Sequence, residues 1–88
     1  MKIIKEVKLL GFDEENPPIL RVFDNGTTFL LFEEFPPENE KLTDEQIDNF
    51  ENELSSYIGE KVVRNDRELF IIFGNDDTVI NKIITFLS

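Results

Sequence analysis

Carboxylates are the side chains of this sequence best suited to chemistry. Asp44, Asp48 and Glu51 recur at i, i+4 and i+7 of a predicted helix, a spacing that places their oxygens on one flank. Three converging carboxylates could hold magnesium or calcium, or divide the roles of acid and base between them. The same spacing also occurs on solvated helix faces and on surfaces that bind Lys and Arg side chains. The choice among these uses depends on the rest of the sequence.

Two residue types that most catalytic sites need are absent. The sequence contains no histidine and no cysteine, which removes the commonest general base near neutral pH, the thiol nucleophile and the thiolate ligands of zinc. Ser55 and Ser56 fall inside the predicted acidic helix, where neighbouring carboxylates oppose formation of an alkoxide. The four glycines are scattered singly and form no phosphate-binding loop. We therefore expect no catalytic residue, no metal site and no cofactor.

The acidic residues are concentrated in one segment. Residues 33–53 hold nine acidic side chains and one lysine, a net charge of −8, whereas ten acidic and eight basic residues elsewhere give −2. A strand, a proline-containing loop and a capped helix are predicted here, so the charges are expected to form a fixed array. We expect the partner-binding residues to be Glu33, Glu34, Phe35, Glu38, Glu40, Asp44, Asp48 and Glu51. Phe35 is the expected apolar anchor.

This distribution of charge indicates the class of partner. A strongly negative field repels phosphate backbones and anionic lipid, so direct binding of nucleic acid or membranes is not expected, whereas a basic protein surface is attracted. The leading hypothesis is an inhibitor or immunity-type protein that neutralises a basic partner such as a nuclease toxin. In small size, acidity and layout the chain resembles bacterial immunity proteins in general, a resemblance of composition that implies no particular site residue.

Three alternatives stay open. A nucleic-acid mimic of the anti-restriction or anti-CRISPR type would use carboxylates in place of phosphates. A homodimer or a structural subunit would use a second apolar sheet face, because residues 19–23 and 28–32 are apolar on both sides of their predicted strands. A carboxylate enzyme would need a metal ion bound by acids of the predicted helix.

The composition predicts a single α+β domain spanning residues 1–88. Hydrophobic residues make up 40% of the chain and include nine phenylalanines, enough for one core without disulfides. The predicted order is βββαββα, with about five mainly antiparallel strands and both helices on one face of the sheet. Charges at Lys2, Lys5 and Glu6 interrupt any apolar region of a signal peptide, so a cytoplasmic protein is expected.

Asn25-Gly26 is the strongest local signal for a hairpin. The pair favours a two-residue turn between strands over residues 19–24 and 27–35, because both turn positions need positive φ. Such a turn pairs Val22 with Phe29 and Leu20 with Leu31 across the two strands.

Two other strand regions are indicated by β-branched and aromatic residues. Residues 2–12 predict the first strand, with a bulge near Gly11. Residues 61–64 and 68–73 predict a second hairpin that turns at Asn65-Asp66, since both residue types tolerate left-handed geometry.

Both helices carry start signals. Thr43 and Gln46 match a capping box at the first helix, and Gly59 can adopt the left-handed conformation that ends it. Asp76-Asp77 supplies a cap and a favourable first-turn charge for the last helix. The first helix therefore presents the acidic residues, and the last one completes the core.

Overall fold

A computed structural model describes residues 2–12, 14–15, 17–32, 43–66 and 69–87. The elements are β1 (Ile3–Lys8), β2 (Ile19–Phe23), β3 (Thr28–Leu31), α1 (Asp44–Ile58), β4 (Val62–Asp66), β5 (Leu69–Ile72) and α2 (Asp77–Phe86). The strands form one sheet in the order β1-β2-β3-β5-β4, and every neighbouring pair is antiparallel. The predicted α+β class and the βββαββα order are confirmed.

The core lies between one face of the sheet and the two helices. Leu20, Leu30 and Phe70 are neighbours across β2, β3 and β5 and have no exposed surface. The helices contribute Ile47, Leu54, Ile58, Val79, Ile80 and Ile83 to the same cluster. Both helices therefore pack on one side of the sheet, called the helix face below, as the sequence predicts. Among the described residues, neither helix is long and apolar enough to cross a membrane.

The ends of α1 are fixed by the predicted residues. The Thr43 hydroxyl accepts the backbone N–H of Gln46 at 3.2 Å, and the Gln46 side chain accepts the backbone N–H of Thr43 at 2.9 Å. This capping box satisfies two donors that the helix leaves unpaired. Gly59 ends the helix with a φ of 73° and donates to the Ser55 carbonyl. The helix that carries the acids is thus held at both ends.

The start of α2 is tied to the β2–β3 hairpin. Asp76 accepts the backbone N–H of Val79 at 2.9 Å and caps the helix, as predicted. Just before it, the Gly74 carbonyl accepts the hydroxyl of buried Thr28 at 2.6 Å. The amide of Asn75 donates to the Phe23 carbonyl at 3.0 Å. These hydrogen bonds fix α2 against the sheet.

The predicted two-residue turn of the first hairpin is wrong. The backbone N–H of Phe23 donates to the Thr27 carbonyl at 2.9 Å, so the turn comprises Asp24, Asn25 and Gly26. Gly26 has a φ of 89°, and no described residue other than glycine has positive φ. A three-residue loop needs the left-handed conformation only at its last position, which leaves Asn25 free to accept the backbone N–H of Thr27 with its side chain.

The longer turn shifts the register of β3 by one residue. Val22 pairs with Thr28 rather than Phe29, and Phe29 pairs with Arg21. Because strand side chains alternate between faces, a shift of one residue moves each β3 side chain to the opposite face. Leu30 therefore pairs with Leu20 in the core, and Leu31 pairs with Ile19 on the other face.

The first strand is shorter than predicted and its bulge lies elsewhere. β1 ends at Lys8, and the irregularity falls between Ile3 and Lys5 rather than near Gly11. After one more bond, from the backbone N–H of Leu9 to the Pro18 carbonyl at 2.8 Å, the pairing with β2 stops. Prolines have no N–H to continue it.

The turn of the second hairpin is also displaced from its predicted position. Asn65 and Asp66 belong to β4, and Asp66 pairs with Leu69. A bulge between Arg64 and Asp66 absorbs the extra residue in the strand. The tolerance of Asn and Asp for left-handed geometry did not determine the position of this turn.

The second face of the sheet is apolar, and no described helix packs on it. Its side chains come from β2, β3, β4 and β5 and are half-buried. We call this surface the open face, formed by Ile19, Phe29, Leu31, Val63, Leu69 and Ile71. The sequence predicts apolar residues on both faces of these strands. However, its predicted register places Phe29 and Leu31 on the same face as Val22 and Leu20, whereas in the structure they lie on the opposite face.

Candidate functional site

The acidic flank of α1, defined as Asp44, Asp48 and Glu51, is the part of the predicted binding surface that the structure describes. Asp44 and Asp48 are exposed and Glu51 is half-buried. The helix also carries Glu45 and Glu53, both exposed, and contains no lysine or arginine. Five carboxylates on fifteen residues, with no basic side chain among them, give the helix a negative electrostatic potential that attracts cationic groups.

The other predicted binding residues lie outside the described residues. They are Glu33, Glu34, Phe35, Glu38 and Glu40, which precede α1 in the chain. The structure therefore bears on the site only through the acidic flank.

The acidic flank lies beside edge strand β4. The guanidinium of Arg64 on β4 contacts the Asp48 carboxylate at 3.4 Å, with side-chain exposures of 24% and 58%. Arg64 pairs with Phe70 and so lies on the helix face, where α1 packs against β4. Such a partly exposed pair contributes about 0–1 kcal/mol to stability. The charge of Asp48 is thus partly compensated within the chain by a contact that the sequence alone did not reveal.

The three carboxylates do not assemble a metal site. Within the described ranges, no group of three or more Asp or Glu side chains lies close enough to hold a metal ion. Spacing at i, i+4 and i+7 places the three residues along about two turns of helix. Convergence on a cation would therefore require further oxygens from a neighbouring element.

Two surface clefts flank α2. One is an apolar cleft of about 250 Å³ between the end of β1 and α2, lined by Val7, Leu9, Phe12, Ile84 and Leu87 among others. Apart from Lys8, its side chains carry no polar group, so it offers few groups to orient a polar ligand.

The second cleft lies between α1 and α2. Tyr57 is 47% exposed and packs on Phe86 with ring centroids 5.5 Å apart, beside Glu53 and Ser56. Because Tyr57 lies beside Leu54 and Ile58 on the first predicted helix, the sequence predicts an aromatic at the rim of the core, in agreement with this contact. The apolar stripe that the sequence predicts for the last helix does not include Phe86, so no sequence signal indicated the cleft. That stripe is Val79, Ile80, Ile83, Ile84 and Leu87.

Comparisons of the chain with models of protein families, with curated proteins and with solved structures found no match.

Proposed function

We propose that this chain is a non-catalytic protein-binding domain that neutralises a basic partner in the cytoplasm, as inhibitor or immunity-type proteins do. A nuclease toxin is the kind of partner that fits, because such an enzyme needs a basic surface to bind its own substrate. The observation that carries the proposal is α1, with five carboxylates and no cation over fifteen residues.

The rigidity of α1 supports recognition rather than mere solubility. The helix is capped at Thr43 and Gly59 and buries Ile47, Leu54 and Ile58 in the core. Its carboxylates therefore project from a fixed backbone, and binding a cationic surface costs less ordering entropy than it would for a flexible acidic tail. Charge steering can also raise association rates to about 10⁸–10⁹ M⁻¹s⁻¹ at low salt.

The positive charges lie mainly in the other layer of the molecule. Of the seven Lys and Arg residues in the described ranges, all except Lys82 lie on or next to strands. They are Lys2, Lys5, Lys8, Arg21, Lys61, Arg64 and Lys82. Because of this separation, the electrostatic field of a basic partner both attracts the molecule and rotates it so that the acidic helix faces the partner during approach.

The shape of the acidic surface favours a protein partner over mimicry of nucleic acid. A duplex mimic needs carboxylates in two extended rows, whereas α1 is a single helix of about 22 Å, given its rise of about 1.5 Å per residue. One compact patch fits one basic surface, such as a substrate-binding cleft.

An NMR titration of the ¹⁵N-labelled protein with an arginine-rich peptide tests where cationic ligands bind. We expect the largest amide shifts in residues 44–53. The variant Asp44→Asn/Glu51→Gln should bind the peptide about fivefold more weakly, because each ion pair at a protein surface contributes up to about 1 kcal/mol.

A matched variant, Glu14→Gln/Glu15→Gln, removes the same charge from the exposed loop before β2 and should bind nearly as well as the wild type. Equal weakening by both variants, or shifts spread evenly over all acidic regions, would show that the protein attracts cations only through its net charge.

A further inference from the structure

We propose that the open face binds a second copy of this chain in a face-to-face dimer with twofold symmetry. The sheets of antiparallel domains usually place polar residues on a face that contacts water. Here the central row across the sheet reads Val63, Ile71, Phe29 and Arg21 from β4 to β2. Three of these four positions are apolar, so the face has the composition of an interface.

Aromatic residues extend this surface at one end. Phe73 follows β5 and is 46% exposed, with the Lys61 ammonium 5.7 Å from its ring centre. Phe23 packs edge-on against Phe29, with ring centroids 4.5 Å apart. Exposed phenylalanine next to a continuous apolar surface is typical of the centre of a protein interface.

The size of the molecule fits a dimer through one face. A standard interface buries about 800 Å² on each partner, roughly one-seventh of the accessible surface of 5512 Å². The molecule extends 34 × 26 × 22 Å, so the outline of its largest side is at most roughly 880 Å², enough for one interface of this size. Face-to-face packing of the two sheets can therefore reach the area that a stable dimer needs.

Charged residues of both signs border the open face: Glu6, Arg21 and Lys8 on the β1–β2 side, and Lys61 next to Phe73. Arg21 and Glu6 form an ion pair at 3.1 Å on the β1–β2 side, with exposures of 42% and 45%. In a symmetric dimer each contact occurs twice, so a surface that presents both signs can complement itself. The acidic helices lie behind the two sheets, on the order of 30 Å apart and beyond the screening length of about 8 Å at physiological salt. The negative charge of α1 therefore does not prevent association.

The two edge strands of the sheet are poorly suited to pairing with another copy, which leaves the open face for association. Both edge strands are interrupted by bulges, between Ile3 and Lys5 in β1 and between Arg64 and Asp66 in β4. Bulges and charged side chains on edge strands oppose the addition of another strand. The apolar face is then the main route by which two copies can associate.

Sedimentation equilibrium over a range of protein concentrations tests the dimer. We expect a mass that rises from monomer to dimer, with Phe73→Gln raising the dissociation constant about tenfold. Tyr57→Gln is the matched control, because Tyr57 has nearly the same exposure, 47%, but lies on the helix layer. It should leave the dissociation constant unchanged. A monomer at every concentration up to the millimolar range, or equal weakening by both substitutions, would overturn the proposal.

Cross-linking locates the interface independently of the stability of any variant. The chain has no cysteine, so a single one can be introduced at will. A short bis-maleimide should join two copies through Ile71→Cys on β5, whereas Ser56→Cys on the exposed side of α1 should stay monomeric. Cross-linking through Ser56→Cys and not through Ile71→Cys would contradict dimerisation by the open face.

Discussion

Replacing Phe70 by alanine is expected to lower the free energy of unfolding by about 3–5 kcal/mol. Phe70 is in β5 near the middle of the sheet and has no exposed surface. Its ring contacts those of Phe32 and Phe50, with centroids 5.8 and 5.2 Å away. The substitution removes one of the contacts between α1 and the sheet, the packing of Phe50 on Phe70, and leaves a cavity. Since small domains are stable by only about 5–15 kcal/mol, the loss is a large share of the total.

Urea denaturation followed by circular dichroism measures this loss. Phe12→Ala is the control, because Phe12 is 38% exposed. Among the described residues, its ring packs on one other aromatic ring, that of Phe32. We expect it to cost about a third as much as Phe70→Ala or less. Similar losses at the two positions would mean that Phe70 is not at the centre of the core.

Replacing Thr28 by valine is expected to lower the free energy of unfolding by about 1–3 kcal/mol, although the two side chains have the same shape. The hydroxyl of Thr28 is fully buried and donates to the Gly74 carbonyl at 2.6 Å. Valine leaves that carbonyl without its donor at the point where the chain leaves β5 and approaches α2. The effect should therefore include faster amide hydrogen exchange at the start of α2.

Thr27→Val provides the matched comparison for this hydrogen bond. The neighbouring hydroxyl of Thr27 also makes a hydrogen bond of 2.6 Å, but to the exposed side chain of Asn25. Water can replace that contact, so a loss below about 0.5 kcal/mol is expected. Equal losses for the two threonines would show that the buried hydroxyl does not hold α2 in place.

The helices could be predicted from the sequence because their signals are local. Thr43 and Gln46 lie three residues apart and interact directly, and Gly59 and Asp76 act on the turns next to them. Each of these contacts is determined by neighbours in the chain. The start and end of α1 and the start of α2 therefore agreed with the prediction.

The registers of the strands could not be predicted from the sequence in the same way. Asn25-Gly26 is compatible with a turn of two or of three residues, and only the packing of Leu30 against Leu20 and Phe70 in the core selects between them. Asn65 shows the same limit, since a bulge let the strand continue through a residue that favours turns. In both cases the register was determined by contacts between residues distant in the sequence, and not by the local turn preference.

The charge of the candidate site was visible in the sequence, whereas its surroundings were not. Periodicity places Asp44, Asp48 and Glu51 on one flank of a helix, but it does not say which element that flank meets. The structure adds that Arg64 of β4 contacts Asp48. Substitutions at Asp44 and Glu51 leave the contact between Arg64 and Asp48 intact, and for that reason they are used as the probes of binding.

Affinity capture from an extract of the source cells tests the binding of a basic partner most directly. Three baits are compared: the wild type, Asp44→Asn/Glu51→Gln, and Glu14→Gln/Glu15→Gln. We predict that the wild type and the loop variant retain the same protein rich in Lys and Arg, that a high-salt wash releases it, and that the α1 variant retains much less. Retention of the same proteins by all three baits, or of no basic protein by the wild type, would contradict the proposed function.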